Sequence, residues 1–296
     1  MIKFTIFTPT YNRAHTLRRC YESILAQDNL EELEWLLIND GSNDNTDDIV
    51  DSLISENKLN IRYIKQENSG KQFSWNKAIS LAKGLYFIGL DSDDTFRDNS
   101  LFSIMSDCNS LLDKDDVVGI RCLAINNMTN KPSGRLIENK LIEMTWFDEF
   151  SNSKNFGERI DILKTDVIKK FLYPVDSDIK FIPEIWFYTK LAKKGYKFVY
   201  SPKALRVFFD DATENRLSRS NIFKHAKGHY ISRSAMIKDI PLLIWIKNPL
   251  SYIKTIIRFS QMAKYLNKSL VERVSDSNYF SAILSYLIGF FIKVEK

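Results

Sequence analysis

The chain has 296 residues, 44% apolar and 27% charged, which is the make-up of a protein with a sizeable core and excludes collagen, coiled coil and wholesale disorder. That length holds one large α/β domain plus an appendage. The net charge of +5 is uneven: about 13 Lys/Arg stand against about 4 Asp/Glu from Arg219 to Lys296, roughly +9, leaving about −4 on the remainder.

Met1 to Thr8 is apolar but too short for a secretory signal, and Lys3 to Thr8 within it reads as a buried strand. No apolar run reaches the ~20 residues of a spanning helix. The scattered Cys20, Cys108 and Cys122 form no CxxC pair and no zinc-ligand spacing. These features together predict a cytoplasmic chain with buried free thiols. His15 to Ala26 has helical spacing, and Leu33 to Asn39 is a second strand ending in the turn Asp40-Gly41-Ser42. A helix over Thr46 to Ile54 follows, capped by Asp44 or Asn45. Then come a strand at Ile61 to Lys65, a helix over Phe73 to Lys83 stopping at Gly84, and a strand at Leu85 to Leu90 that runs into Asp91-Ser92-Asp93-Asp94.

Beyond residue 100 the pattern predicts a helix over Asn99 to Asn109 and a strand at Asp116 to Leu123. Asn126 to Ile142 reads as a hairpin or irregular insertion. Lys164 to Phe171 and Pro183 to Lys194 read as helices, Phe198 to Tyr200 and Ala204 to Phe209 as separate strands. Leu242 to Phe259 and Tyr279 to Val294 are aromatic and aliphatic with interspersed lysines, broken into short helices by Pro241 and Pro249.

A β-α-β-α series implies an α/β fold with a mainly parallel sheet flanked by helices. Ligands of such sheets collect beyond the carboxyl ends of the strands. Three polar clusters sit at those ends: Thr8 to Arg13, Asp40 to Asp44, and Asp91 to Asp94. Three carboxylates within four residues repel one another unless a cation or donor groups offset the charge, and they suit Mg²⁺ or Mn²⁺, which also bridge diphosphate oxygens. A charged turn or helix cap is the alternative role for the same residues.

The order Pro-Thr-Tyr-Asn after the first strand, Asn-Asp-Gly-Ser with nearby Asp44 after the second, Asn68-Ser69-Gly70, then Leu-Asp-Ser-Asp-Asp resembles the family 2 glycosyltransferases of the GT-A, Rossmann-like fold. The resemblance covers residues 3 to 98. It implies that Thr8, Pro9, Tyr11 and Arg13 line a nucleoside pocket and that Asp40 accepts a hydrogen bond from the base, favouring uracil. Asp91, with Ser92, would hold the ribose or donor sugar, Lys71 would approach the nucleotide, and Asp93, with Asp94 beside it, would hold Mn²⁺ or Mg²⁺. Family members also carry a base on a helix after the central region. Here Pro183-Glu184 fits, with Pro183 and Glu184 in the first helical turn, where the helix dipole favours an ionised carboxylate. Asp176 and Asp178 compete with Glu184 for that role. Trp186 would stack on an acceptor sugar.

Asp210, Asp211, Arg216, Ser218 and Arg219 lie where family members cover the donor. His225 and His229, four apart, share a helix face and are candidates for a further metal ligand.

The resemblance thus implies inverting transfer from a nucleotide diphosphate-sugar to a saccharide or lipid-linked saccharide in surface polysaccharide or glycolipid synthesis. Alternatives are a nucleotidyltransferase, disfavoured by the absence of glycine in Pro9 to Arg13, and a non-catalytic sugar-nucleotide or glycan binder. The expected division is a catalytic domain over 1–229, split into 1–98 and 99–229, followed by a basic amphipathic helical tail over 230–296. That tail would contact an anionic membrane surface, peripherally on the inner face, or pack on the protein or in a homodimer. No nucleic-acid motif accompanies its charge.

Overall fold

A computed structural model of the chain describes residues 1–134, 137–210 and 221–292. In chain order its elements are β1 (Phe4–Thr10), α1 (Ala14–Leu25), β2 (Leu33–Asn39), α2 (Thr46–Ser55), β3 (Ile61–Lys65), α3 (Lys71–Leu81) and β4 (Tyr86–Gly89). Next come β5 (Thr95–Phe96), α4 (Leu101–Leu112), β6 (Val117–Asn126), β7 (Ile142–Thr145), α5 (Trp146–Phe150), β8 (Arg159–Lys164), α6 (Thr165–Ile168), α7 (Ile185–Lys193) and β9 (Lys197–Phe208). The chain continues through α8 (Ala226–Asp239), α9 (Leu242–Lys247), α10 (Pro249–Tyr265), α11 (Leu270–Asp276) and α12 (Tyr279–Phe291).

The residues form two compact units. One comprises Met1–Met144, Lys154–Leu172 and Lys197–Asp211, and the other Thr145–Ser153, Tyr173–Tyr196 and Ala212–Lys296. The first carries a sheet of order β3-β2-β1-β4-β8-β6-β9-β5, with β7 beside β9. The pairs β1–β2, β1–β4 and β2–β3 are parallel, as the β-α-β-α spacing implies. Beyond β4 the sheet is mixed: β4–β8, β8–β6 and β9–β5 are antiparallel, and β6–β9 is parallel.

Strands β1 and β2 are buried along nearly their whole length because helices cover both faces. On one face Phe4, Ile6, Trp35 and Leu37 meet Leu17, Cys20, Tyr21 and Ile24 of α1. On the other, Phe7 stacks on Phe87 at 5.7 Å and Trp75 meets both rings edge-on, at 6.1 and 5.1 Å. All three cysteines are buried and free. Glu34, fully buried in β2, is satisfied by Arg62 at 2.9 Å, Thr5 at 2.5 Å and the Lys83 amide at 2.7 Å.

Three expectations change. The helix over Lys164 to Phe171 is the single turn α6, because the chain up to Lys164 belongs to β8, whose Ile160 to Leu163 are buried in the sheet. The two strands around Ser201-Pro202-Lys203 are one strand, β9. Opposite it, the register on β6 slips between Arg121 and Leu123, so the extra residues bulge out and Pro202 costs no ladder bond. The boundary expected between 229 and 230 falls inside α8, which runs unbroken across it, and the helical unit also takes in 145–153 and 173–196. In that unit Tyr230, Ile237, Ile256, Phe259 and Met262 form a core. The breaks expected at Pro241 and Pro249 are present: Pro241 caps α9 and Pro249 starts α10, with the Asn248 side chain capping the Ser251 amide. Among the described residues, no helix is long and apolar enough to cross a membrane.

Candidate functional site

In the parallel part of the sheet, Thr10 lies beside Asn39, Asn39 beside Lys65, and Phe7 beside Gly89. The four strands therefore release their following loops at one edge of the first unit. Those loops are tied together by short polar contacts. Asn12, in the left-handed region at φ 54°, donates its amide to Ser42 Oγ at 3.0 Å and accepts from the Asn43 amide at 2.7 Å. Asp44 Oδ2 accepts from the Ala14 amide at 3.1 Å, and its Oδ1 accepts from the Thr46 hydroxyl at 2.6 Å. Asp44 therefore begins α1 and α2 together. Burial pushes its carboxyl up, but these donors outweigh burial and hold its pKa below the usual range.

Asp40 is buried. Its Oδ1 accepts from Gln66 Nε2 and the Ser69 amide, both at 2.8 Å, and its Oδ2 accepts from the Gly70 amide at 2.8 Å. The residue that sequence assigns to the base thus also shapes the loop after β3, and Oδ2 keeps acceptor capacity. Gly41 is required next to it. It sits at φ +83°, and a Cβ there would lie 2.9 Å from the Asn68 amide nitrogen.

The four residues after Leu90 differ in environment. Asp91 is gripped by Lys71 Nζ, at 2.9 Å from Oδ1 and 3.0 Å from Oδ2. Burial would raise its pKa, but the Lys71 ammonium, helped by Arg206 and Arg13, brings it below the ordinary value. Ser92 is buried. The half-buried Asp93 makes no hydrogen bond or ion pair through its carboxylate to a described residue, while its carbonyl accepts from Arg19 Nη2 at 2.6 Å. Asp94 is only 6% exposed. Its Oδ1 accepts from the Phe209 amide at 3.2 Å, and its Oδ2 faces Arg206 Nη1 at 3.3 Å. Arg206 also holds Glu158 at 2.7 Å. Burial, reinforced by the charges of Asp91 and Asp93, pushes the Asp94 carboxyl up to about 7 against the pull of Arg206.

The two carboxylates expected to share a cation therefore divide the work. Asp94 is committed to Arg206 and the Phe209 amide, and the Asp93 carboxylate has no partner among the described residues. Among the described residues no group of three His, Cys, Asp or Glu side chains is arranged to hold a metal. The site does not fit an all-protein cage. Asp93 would suit a hard cation held through one protein carboxylate, as Mg²⁺ commonly is.

The remaining sequence candidates fall as follows. Tyr11 is 47% exposed, and Pro9 and Arg13 are half-buried at the same edge. Thr8 departs from its expected place: it is fully buried, and its hydroxyl accepts from Trp35 Nε1 at 2.9 Å inside the core. Thr10, two residues on, ends β1 with a buried hydroxyl that has no hydrogen-bond partner among the described residues. In the second unit, α7 begins at Ile185, two residues later than expected, so Pro183 precedes it and the exposed Glu184 is its N-cap. The Glu184 carbonyl accepts from the Phe187 amide at 2.9 Å. Trp186 is half-buried against Tyr173 at 5.3 Å, with Lys190 Nζ 5.9 Å from its ring. His225 and His229 both pack on Phe181, at 5.3 and 6.0 Å. Burial, with the Arg233 and Arg258 charges, lowers His229 to about 4. Asp178 pairs with Lys227 at 2.9 Å. Asp211, Arg216, Ser218 and Arg219 lie outside the described residues.

Arg206 and Arg19 were missed by motif reading. Their signals were present in kind: Arg206 is a lone charge in the apolar run Leu205 to Phe209, which demands a buried partner. Arg19 stacks 3.4 Å from the centre of the Phe209 ring, a contact that only the fold creates.

Residues 5–174 match the model described as glycosyl transferase family 2. The chain belongs to glycosyl transferase family 2. Chondroitin synthase of Pasteurella multocida is 34% identical over 150 residues, covering 51% of this chain but 14% of that protein, so this family 2 chain spans a small part of that relative's length. Among solved structures, Staphylococcus aureus TarS 1–349 in complex with UDP-GlcNAc has a TM-score of 0.66 at 17% identity over 97% of this chain and 81% of TarS 1–349. The mannosyltransferase PcManGT of Pyrobaculum calidifontis, in complex with GDP-Man and Mn²⁺, has a TM-score of 0.58 at 15% identity over 98% of this chain and 87% of its own. Those likenesses establish a shared GT-A-type fold for the family 2 chain.

Proposed function

We propose that this family 2 chain transfers a hexosyl or N-acetylhexosaminyl group from a UDP-sugar to a hydroxyl of a saccharide or lipid-linked saccharide, with inversion, in the synthesis of a surface polysaccharide or glycolipid. The observation that carries the reading is that Asp40, Asp91 and Asp93 follow neighbouring strands at one edge of the parallel part of the sheet. TarS bound to UDP-GlcNAc, PcManGT bound to GDP-Man and Mn²⁺, and a polysaccharide synthase among the relatives support it.

Asp40 has an acceptor site left on Oδ2 for the imide N–H of uracil, and the Gln66, Ser69 and Gly70 donors fix its direction. Tyr11 offers an exposed ring for the base, and Arg13 a cation beside it. Lys71 restrains Asp91 and supplies positive charge toward the diphosphate. Asp93 would hold the Mn²⁺ or Mg²⁺, which as a Lewis acid offsets charge on the departing diphosphate. Arg19 and Arg206 keep the acidic loop in place from behind. Glu184, exposed at the start of α7, takes the proton of the attacking hydroxyl, and Trp186 gives the acceptor sugar a face.

Turnover of UDP-sugars with and without acceptor, in Mn²⁺ and then in chelator, tests this. Glu184→Gln lowers transfer about a hundredfold or more while leaving UDP affinity within twofold, as roughly expected for a residue that acts only on the acceptor. Absence of turnover with any nucleotide sugar contradicts the proposal.

A further inference from the structure

Helix α12 exposes far more large apolar side chains than an ordinary surface helix. Its buried residues are the small ones, Ser281, Ala282, Ser285 and Gly289. They face α10, where Ser260 Oγ donates to the Ser285 carbonyl at 2.5 Å, Tyr252 and Ser281 share a hydroxyl contact at 2.9 Å, and Lys264 Nζ donates to the Gly289 carbonyl at 2.7 Å. Of the large side chains, Leu284 and Ile288 pack on the core of the helical unit, whereas four others point outward: Phe280 is 70% exposed, Leu287 52%, Phe290 69% and Phe291 89%. No charged residue occurs from Tyr279 to Phe291. In water a helix turns its large apolar residues to the core. Small residues inward and bulky apolar residues outward is the arrangement of helices that face hydrocarbon.

The partner helix repeats the theme. On α10, Leu250, Ile253 and Ile257 are exposed at helical spacing, preceded by exposed Ile246 on α9. Lys254 and Arg258 stand beside that stripe. From Pro241 to Lys268 the chain has Lys247, Lys254, Arg258, Lys264 and Lys268 and no acidic residue. An apolar stripe edged only by cations complements an anionic, apolar-cored surface. A second copy of this chain fits less well, because a twofold contact would set the same cations against themselves. The 13-residue α12 is about 20 Å long, short of the ~30 Å hydrocarbon core, so it cannot span one.

We propose that α10 and α12 form a docking surface for an anionic lipid bilayer. The helices lie in the headgroup region, with Leu250, Ile253, Leu287 and Phe290 entering the acyl boundary and Lys247, Lys254 and Arg258 meeting lipid phosphates. Lipid contact of this kind is independent of the transfer chemistry, and no residue of the candidate site takes part in it.

Flotation of the full chain with vesicles decides the matter. The protein floats with phosphatidylcholine vesicles containing phosphatidylglycerol, binds phosphatidylcholine alone at least about tenfold more weakly, and is released by high salt. Leu250→Glu with Phe290→Glu weakens flotation by at least about tenfold, and so does Lys247→Glu with Lys254→Glu. Both double variants keep the melting temperature, since all four side chains are exposed. The proposal is overturned if the native chain stays at the bottom of the gradient with phosphatidylglycerol vesicles. It is equally overturned if light scattering shows a dimer that Leu250→Glu with Phe290→Glu splits and vesicle binding is unaffected by the lysine changes.

Discussion

Asp94 and Arg206 bury opposite charges behind the acidic loop, each less than a tenth exposed. Removing one partner of such a pair strands the other in a poor solvent, which costs about 3–5 kcal/mol when the remaining group stays ionised. Asp94 has a way out, since its carboxyl already stands near 7. Arg206→Met therefore destabilises the chain less at pH 6, where Asp94 takes up a proton, than at pH 8, where it must remain charged or draw a proton from dilute solution. Chemical denaturation at the two pH values checks this. Motif reading set Asp91 apart from Asp93 and Asp94 but did not tell those two from each other, because the groups that hold Asp94, Arg206 and the Phe209 backbone amide, come from a distant part of the chain. Thr8 shows the same limit. A polar residue at a strand end looks like a ligand contact until Trp35, from the neighbouring strand, claims its hydroxyl.

At the scale of elements, the turn after β2 is set by the demand of Asp40 for three donors and by the close approach of Gly41 to Asn68. Gly41→Ala places a side chain at positive φ and pushes on the Asn68 backbone. A loss of about 1–2 kcal/mol in stability is expected, together with a weaker affinity for UDP because the Asp40 loop shifts. Calorimetry and titration on the same sample measure both. Helix α8 carries a pH response of its own. His229 is held neutral, its pKa lowered from 6.5 to about 4 by burial and by the Arg233 and Arg258 charges. A depressed folded-state value means that the stabilisation is full above 6.5 and is lost as pH falls toward 4. His229→Gln should flatten the fall in melting temperature between pH 7 and 4.5, and an unchanged slope would assign the response elsewhere. The first four strands and their three helices were legible because local periodicity and turn residues coincide there. Strand β8 and the continuity of β9 were not, because both depend on pairing with β6, and a bulge is invisible until its partner strand is known.

The whole molecule combines a sheet unit that gathers polar loops at one edge with a helical unit whose own core is built on α8 and α10. The α/β class followed from the β-α-β-α succession of elements alone, and so did the gathering of the loops after β1, β2 and β4 at one edge. The division into units did not, since Thr145–Ser153 and Tyr173–Tyr196 join the helical unit across long sequence gaps. The claim on which the functional account rests is that Asp93 presents an open carboxylate to a cation shared with a diphosphate, while Asp40 reads the base. Calorimetric titration of UDP into the native chain, Asp93→Asn and Asp40→Ala, each with Mn²⁺ and with chelator, tests it most directly. The account predicts that Mn²⁺ tightens UDP binding to the native chain by about tenfold or more, that Asp93→Asn abolishes this gain while keeping the metal-free affinity, and that Asp40→Ala weakens binding in both conditions. Equal UDP affinity with and without Mn²⁺ in the native chain, or an undiminished Mn²⁺ gain in Asp93→Asn, would contradict it.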